Sequence, residues 1–323
     1  MPSRRSVLLL AAGVLALGCT QRARSLRVGY LWPAELEAST TPVTKLRDAL
    51  RDLGYVEGRN LQLEVRSADE NVQRLPQLAA ELVEAKVDVV VAAGPPAILA
   101  ASRATRTIPI VMAAWGGPGL LESGLVATMA RPGGNVTGVS MLSEDLERKR
   151  LELLIEAMPG ARRVAVLYPG AGGEALIERL RPVASAAKVE LSLSAVPGSK
   201  DYALVFGKMS ADRIDALLVP TSTRFYREQS DIIESAARFR IPAIYEWGDM
   251  ARNGGMIGYG SDFSELFQRT ASFIDRIFKG ADPGTLPVEQ PVKFDFVINQ
   301  KTARALGVDL PKAFIERANE VVR

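Results

Sequence analysis

Short apolar runs alternate with longer amphipathic stretches from Leu26 to the end of the chain. Runs such as "VDVVVAA" (87–93) and "IPIVMAAW" (108–115) are apolar almost throughout, which is typical of strands that are buried on both faces. The stretches between them, such as 42–55 and 72–86, carry apolar residues at helical spacing. The pattern therefore predicts an α/β protein whose parallel sheets are covered by helices on both faces.

The pattern occurs twice along the chain, so we predict two doubly wound lobes. The first set has strands at 26–32, 60–68, 87–93, 108–115 and 135–140, and helices at 42–55, 72–86, 95–105 and 119–130. The second set has strands at 162–168, 189–196, 214–220, 241–247 and 254–260, and helices at 146–158, 174–187, 200–209 and 228–239. The tail adds a helix (263–279), a Pro/Gly connector (280–291), a strand (292–299) and a helix (300–306). A tail that crosses between the lobes would make a multi-stranded hinge.

The first 18 residues have the layout of an export signal. Arg4 and Arg5 precede an apolar run that is too short to span a membrane, and small residues follow it. Cys19 lies where a bacterial lipoprotein signal is cut, although Ala16 replaces the usual leucine three positions before it. The twin arginine leaves the export route open, and a buried N-terminal helix is the alternative interpretation. We predict a signal at 1–18, a tether at 19–25 and lipidation of Cys19.

Composition removes several function classes. The chain has no histidine and one cysteine, which excludes a Ser-His-Asp triad, an internal disulfide and a Cys/His metal cluster. Its formal net charge of +3 falls to +1 without Arg4 and Arg5, and the remaining basic residues are interspersed with acidic ones. This pattern does not favour nucleic-acid binding. We expect no cofactor and no metal.

Aromatic residues mark the carboxyl ends of the predicted strands, where α/β sheets bind their ligands. All three tryptophans lie at such ends, and a tyrosine takes the equivalent place on the first strand of the second lobe: Trp32, Trp115, Trp247 and Tyr168. Thr221, Ser222 and Glu246 are the polar candidates at these ends. The alternatives are that the aromatic residues cap the lobe cores and that Ser222 is an ordinary helix cap.

Several motifs resemble one bacterial family. They are "GYVEGRNLQLEVRSAD", "VDVVVAAGPPA", "GLVATMARPGGNVTGVS", "KRLELLIEAMPGARRVAVLY" and "DRIFKGADPGTLPVEQPVKFDFVINQKTARALGVDLP". The chain from Leu26 to Arg323 resembles the substrate-binding proteins of bacterial ABC transporters, a family that includes aromatic amino acid binders. The resemblance implies a type I periplasmic-binding fold with three crossovers, near 140–142, near 260–262 and within 286–292. The lobes would then be 26–140 plus 262–288 and 141–261 plus 289–323.

Two departures from the family pattern concern the ligand. The family commonly has Gly-Thr-Pro or Gly-Ser-Pro at the position of Gly94-Pro95-Pro96, and Gly-Asp-Pro at the position of Gly116-Gly117-Pro118. The resemblance thus places Gly94 and Gly117 at the ligand, without the hydroxyl and the carboxylate that an α-amino acid would need. An aromatic or heterocyclic molecule without that zwitterion is an equal alternative, unless Glu246 or Asp249 supplies the missing carboxylate.

These observations predict a binding protein rather than an enzyme. The expected protein is exported to the periplasm or cell envelope and encloses a small molecule between its lobes. It is monomeric, contacts the membrane only through a lipid anchor, and delivers its ligand to an ABC permease. A sensory binding module without a transport role is an alternative, and a secreted α/β enzyme is a weaker one.

Overall fold

The chain folds into two lobes, each built on one β-sheet, in a computed structural model that describes residues 25–33, 41–69, 71–115, 119–141, 143–170, 173–198 and 201–323. The predicted signal, Cys19 and most of the predicted tether lie outside the described residues. Within the described ranges, no helix has the length and apolar character needed to cross a membrane.

The first lobe contains a five-stranded parallel sheet. Its strands are β1 (Leu26–Trp32), β2 (Leu61–Ser67), β3 (Val89–Ala93), β4 (Ile110–Trp115) and β5 (Val136–Ser140). Its helices are α1 (Thr41–Asp52), α2 (Leu75–Glu84) and α3 (Pro95–Ala104). The strand order is β2-β1-β3-β4-β5. Helices α2 and α3 cover one face, while α1 lies on the other, so apolar residues are buried on both sides of the sheet.

The second lobe contains a seven-stranded sheet. Its strands are β6 (Arg163–Pro169), β7 (Glu190–Val196), β8 (Ala216–Leu218), β9 (Ala243–Tyr245), β10 (Ile257–Ser261), β11 (Phe294–Asn299) and β12 (Glu320–Val322). Its helices are α4 (Ser143–Ala157), α5 (Glu174–Ala187), α6 (Tyr202–Ala211), α7 (Thr223–Arg227), α8 (Gln229–Arg238), α9 (Gly248–Arg252), α11 (Gln300–Leu306) and α12 (Lys312–Ile315). The strand order is β12-β11-β10-β9-β8-β6-β7. All the pairs are parallel except β10 with β11, which is antiparallel.

Three adjacent passages of the chain connect the lobes. The first follows β5, and the second leads from β10 into α10 (Phe263–Phe278), which packs against α1 and the first sheet. The third returns the chain to β11. Residue Glu289 of this passage pairs with β5: the Ser140 N–H donates to its carbonyl at 2.9 Å, and its own N–H donates to the Gly138 carbonyl at 2.9 Å. The passages therefore lie side by side where the lobes meet.

The predicted fold class is confirmed, but one predicted helix is wrong. Residues 119–130 form turns, although their apolar spacing resembles that of a helix. Gly119 and Gly124 have positive φ angles of 79° and 69°, which a right-handed helix cannot include. The Ala127 N–H donates to the Pro132 carbonyl rather than to a carbonyl four residues before it. One hydrogen bond of helical spacing forms, from the Ser123 N–H to the Gly119 carbonyl at 2.8 Å, but the backbone then turns instead of continuing as a helix.

Strands β8 and β9 are shorter than the apolar runs predicted. The run 214–220 forms a strand only over Ala216–Leu218, and the run 241–247 only over Ala243–Tyr245. In both cases the chain leaves the sheet before the apolar run ends. Thr221, three residues after β8, and Glu246, directly after β9, therefore lie in the space between the lobes.

Candidate ligand-binding site

A cavity of about 280 Å³ lies between the two lobes, at the carboxyl ends of the parallel strands. The first lobe contributes the ends of β1, β3 and β4, the start of α3 and one face of α10. The second lobe contributes the segments that follow β8 and β9. The lining residues are Trp32, Pro33, Val72, Ala93, Gly94, Pro95, Pro96, Ala113, Ala114, Met141, Thr221, Ser222, Tyr226, Glu246, Trp247, Leu266 and Phe267. Its size and mainly apolar lining suit one small organic molecule.

Aromatic rings face the cavity from both lobes. Trp32 stacks on Tyr30 of the same strand, with ring centroids 6.0 Å apart and planes inclined by 17°. Across the cavity, Tyr226 contacts Trp247 edge to face, with centroids 6.2 Å apart. Phe267 of α10 adds a further ring to the lining. A flat ligand could thus contact aromatic surfaces of both lobes at once.

The Glu246 carboxylate is the polar centre of the cavity. It is 3% exposed and accepts a hydrogen bond from the Ser222 N–H at 3.1 Å. The Thr221 hydroxyl donates a second hydrogen bond to it. Ser222 also caps α7, since its hydroxyl accepts from the Phe225 N–H at 3.3 Å. The cap fixes the loop after β8, so both donors are held in place toward the carboxylate.

Burial controls the protonation of Glu246. Loss of solvent raises the pKa of its carboxyl to about 7, while the positive charge of Arg150 and the hydrogen bonds from Ser222 and Thr221 oppose that rise. The nearby Glu147 carboxylate adds a small upward contribution. Glu246 therefore changes charge near neutral pH, and a bound ligand can move this equilibrium in either direction.

Arg150 lies behind the cavity wall and compensates the charge of Glu246. Its side chain is completely buried between α4 and the second sheet, where its Nε donates to the Tyr259 carbonyl at 2.7 Å. One terminal nitrogen lies 3.3 Å from the Thr221 hydroxyl oxygen. Burial lowers the pKa of this guanidinium from its usual range, and the Glu246 and Glu147 carboxylates oppose that change. The Thr221 hydroxyl thus links the buried guanidinium of Arg150 to the Glu246 carboxylate, and the positive charge of Arg150 partly offsets the negative charge of Glu246 at the cavity surface.

Two glycines of β10 allow Glu246 to reach the cavity. A Cβ atom at Gly260 would lie 1.9 Å from the Glu246 carbonyl oxygen, and a Cβ at Gly258 would lie 2.4 Å from the Trp247 carbonyl oxygen. The segment after β9 therefore crosses β10 at a distance that excludes any side chain at these positions. The "GYG" sequence at 258–260 is a structural requirement of the site.

The structure brings together six of the nine residues that the sequence proposed for the ligand site: Trp32, Gly94, Thr221, Ser222, Glu246 and Trp247. The side chain of Trp115 and the whole of Gly117 lie outside the described part of the structure, although the backbone of Trp115 ends β4. Tyr168 is absent from the described lining. It packs instead against the apolar cluster of the second lobe.

Asp249, the other carboxylate considered from the sequence, does not line this cavity. It forms an ion pair with Arg252 at 2.8 Å, and Arg252 also contacts Asp295 and Glu320 at 2.8 Å each. Of the two carboxylates, Glu246 alone reaches the cavity in the described part of the chain. Asp249 instead helps to join α9 to the strands at the edge of the second sheet.

Several residues in or behind the cavity wall were not predicted from the sequence. Phe267 and Leu266 belong to an amphipathic helix in the tail, and nothing local shows that its apolar stripe reaches the cavity. Tyr226 could have been found, because it lies one helical turn after the capping residue Ser222. Arg150 is one of several basic residues in α4, and only the tertiary structure distinguishes it.

Comparison with known proteins identifies the family. The family of ABC transporter substrate binding proteins matches residues 28–322, which is most of the chain. The chain belongs to this family. Membership confirms the predicted resemblance, and the family binds solutes rather than catalysing reactions, as predicted.

Individual relatives agree with this assignment. A tyrosine-binding protein of Clostridioides difficile (strain R20291) is 28% identical over 263 residues, covering 80% of this chain and 74% of that protein. A solved structure of a conserved domain protein from Vibrio cholerae is 27% identical, with a TM-score of 0.82 over 92% of this chain and 100% of that one. An ABC domain from Streptococcus pneumonia, solved with L-Trp, is 24% identical, with a TM-score of 0.80 and the same coverage. The two solved structures share the two-lobed fold of this chain, which is the type I periplasmic-binding fold.

Proposed function

We propose that this protein is the exported solute-binding component of an ABC transporter. It encloses a small aromatic or heterocyclic ligand between its lobes and presents the closed complex to a membrane permease. Closure follows from ligand contacts with both lobes, since a ligand that touches both stabilises the closed arrangement over the open one.

The observation that carries this proposal is the aromatic-lined cavity between two lobes joined by three adjacent passages. Trp32 and Phe267 come from the first lobe, while Tyr226 and Trp247 come from the second. A ligand between these rings would be gripped from both sides. The family relative named for tyrosine binding supports a ligand with an aromatic ring.

We propose the lobe boundaries predicted from the sequence, 26–140 plus 262–288 and 141–261 plus 289–323. The packing of α10 against α1 supports the assignment of the segment after 262 to the first lobe. Val288 belongs to the apolar cluster of the first lobe, and Phe296 to that of the second. The passage between them would then be the third part of the hinge.

Native mass spectrometry of freshly purified protein, followed by a thermal-shift screen, tests the proposed function. A ligand that binds only the folded protein raises its melting temperature by mass action. We expect Trp247→Ala to weaken binding of that ligand about tenfold or more, because the change removes an aromatic contact in the cavity. Its thermal shift should fall accordingly.

Tyr168→Ala is the matched control, because it removes an aromatic side chain of the same lobe away from the described cavity lining. It should lower the melting temperature of the free protein but leave the ligand-induced shift intact. If Trp247→Ala keeps the full shift, the aromatic cavity is not the binding site. If the bound compound is chemically converted, the proposed function is wrong.

The proposed export makes a separate prediction about Cys19. We expect radiolabelled palmitate to be incorporated into the protein in a bacterial host, and the label to be lost in Cys19→Ala, because Cys19 is the only cysteine of the chain. The measurement is autoradiography of membrane and soluble fractions. A label that persists in Cys19→Ala, or none in the parent protein, would contradict lipidation at this residue.

A further inference from the structure

The charge of the cavity narrows the class of ligand. Among the described lining residues, Glu246 provides the one carboxylate, and none is a lysine or an arginine. A ligand with a negative group would thus meet a carboxylate at the polar centre of the cavity and no cationic side chain in its described lining.

Three donors at the cavity are already engaged with Glu246 or with the backbone. The Ser222 N–H and the Thr221 hydroxyl both donate to the Glu246 carboxylate. At the start of α3, the Gly94 N–H donates to the Ala114 carbonyl at 3.0 Å. Pro95 and Pro96, the first two residues of this helix, have no N–H group to offer an anion. The anion-binding capacity that a helix start normally offers is therefore reduced here.

A cationic group would meet the opposite environment. The Glu246 carboxylate can accept hydrogen bonds from an ammonium group, and charge-assisted hydrogen bonds of this kind are among the stronger ones in proteins. The faces of aromatic rings also attract cations, and Trp32, Tyr226 and Trp247 surround the same space. A positive charge near Glu246 favours the ionised carboxylate, which burial alone disfavours.

We propose that the ligand is an aromatic amine that carries a positive charge and no carboxylate, and that Glu246 is the residue that binds its ammonium group. This inference rests on the proposed function, since it specifies the ligand class of the same cavity. It separates this protein from a binder of free aromatic amino acids, in which a carboxylate and an ammonium must both be held.

A matched series of probes tests the inference by calorimetric titration of the purified protein. Tryptamine and tyramine carry the ammonium alone, tryptophan and tyrosine carry ammonium and carboxylate, and tryptophol and tyrosol carry a neutral hydroxyl on the same rings. We expect the better amine to bind about tenfold or more tightly than its amino acid and its alcohol.

The Glu246→Gln variant adds a second comparison. It should reduce the affinity for the amine to that for the alcohol, while Glu147→Gln, which changes a nearby carboxylate outside the described lining, should keep the preference for the amine. If Glu246→Gln does not fold, the pH dependence of amine binding to the parent protein still tests the role of Glu246. Amine affinity should fall about tenfold between pH 8 and pH 6, because the pKa of the free Glu246 carboxyl is about 7 and binding then requires loss of its proton.

Equal or tighter binding of the amino acids or the alcohols would overturn the inference, as would failure of every probe to bind. Native mass spectrometry separates this failure from that of the proposed function. If a small molecule of other chemistry is found in the cavity, the protein remains a solute-binding protein and only the ligand class is wrong. If no molecule is found and no compound shifts the melting temperature, both proposals fail.

Discussion

Gly260→Ala is expected to destabilise the protein by about 3 kcal/mol or more and to abolish ligand binding. The added Cβ would lie 1.9 Å from the Glu246 carbonyl oxygen and 3.1 Å from its carbonyl carbon. Both neighbouring atoms belong to the backbone, so no side chain can move aside. The segment after β9 must shift, and that segment carries Glu246 and Trp247 into the cavity. Urea denaturation and ligand titration measure the two effects.

Gly160→Ala is the matched control. A Cβ at Gly160, in the turn before β6, would have no atom within 4 Å. It should change the free energy of unfolding by about 0.5 kcal/mol or less, as exposed substitutions usually do. Unchanged stability in Gly260→Ala would show that the close approach of the segment after β9 to β10 is not required.

Glu246→Gln is expected to remove most of the pH dependence of stability between pH 5 and pH 8 in the free protein. The pKa of the Glu246 carboxyl is 4.5 in the unfolded reference and about 7 in the folded state. An acid with a raised pKa costs no stability while it is protonated in both states, and its cost grows as the pH rises from 4.5 to 7. Each pH unit is worth about 1.4 kcal/mol, so the parent should lose about 3 kcal/mol over this range.

The composition of the chain makes this measurement unusually direct. There is no histidine to titrate in the same range. The pKa values of the Asp69, Asp262 and Asp275 carboxyls are lowered, and such groups contribute stability that is lost only as the pH falls below about 4. Charged groups facing Glu246 come from α4, namely Arg150 and Glu147.

Denaturation midpoints of parent and variant from pH 5 to pH 8 decide the prediction. We expect a falling stability in the parent and a flat curve in Glu246→Gln, with Glu147→Gln showing whether the effect belongs to Glu246 itself. A parent curve that is flat, or that rises with pH, would mean that the buried carboxyl is stabilised by Arg150 more than it is destabilised by burial.

Most of the fold could be predicted from the sequence because local pattern and tertiary structure agree for most elements. The strand at 26–32 and the helices at 174–187 and 300–306 have the bounds that the pattern predicted. The helix predicted at 119–130 was wrong because apolar spacing contains no information on the positive φ angles that Gly119 and Gly124 adopt. The predicted bounds of β8 and β9 were too long for another reason. An apolar run predicts burial, but it does not distinguish a strand from a buried segment that has left the sheet.

The site was predictable where strand ends supply it. Trp32, Glu246 and Trp247 follow directly from the rule that parallel strands present their carboxyl ends to a ligand. The same rule gave Tyr168 equal weight, but the side chain of Tyr168 packs against the apolar cluster of the second lobe. Phe267 and Arg150 depend on the packing of helices across the lobes, which no local pattern encodes.

The position of α10 has a consequence for the order in which the chain can fold during synthesis. The last strand of the first sheet ends at Ser140, but α10, which covers that sheet beside α1, begins only at Phe263. The Tyr55 hydroxyl of the first lobe donates a hydrogen bond to the Asp275 carboxylate of this helix at 2.9 Å. Ribosomes add about 5 to 20 residues each second, so the apolar face that awaits α10 remains bare for several seconds after its strands have emerged. The first lobe therefore cannot complete its apolar core until most of the chain has been synthesised.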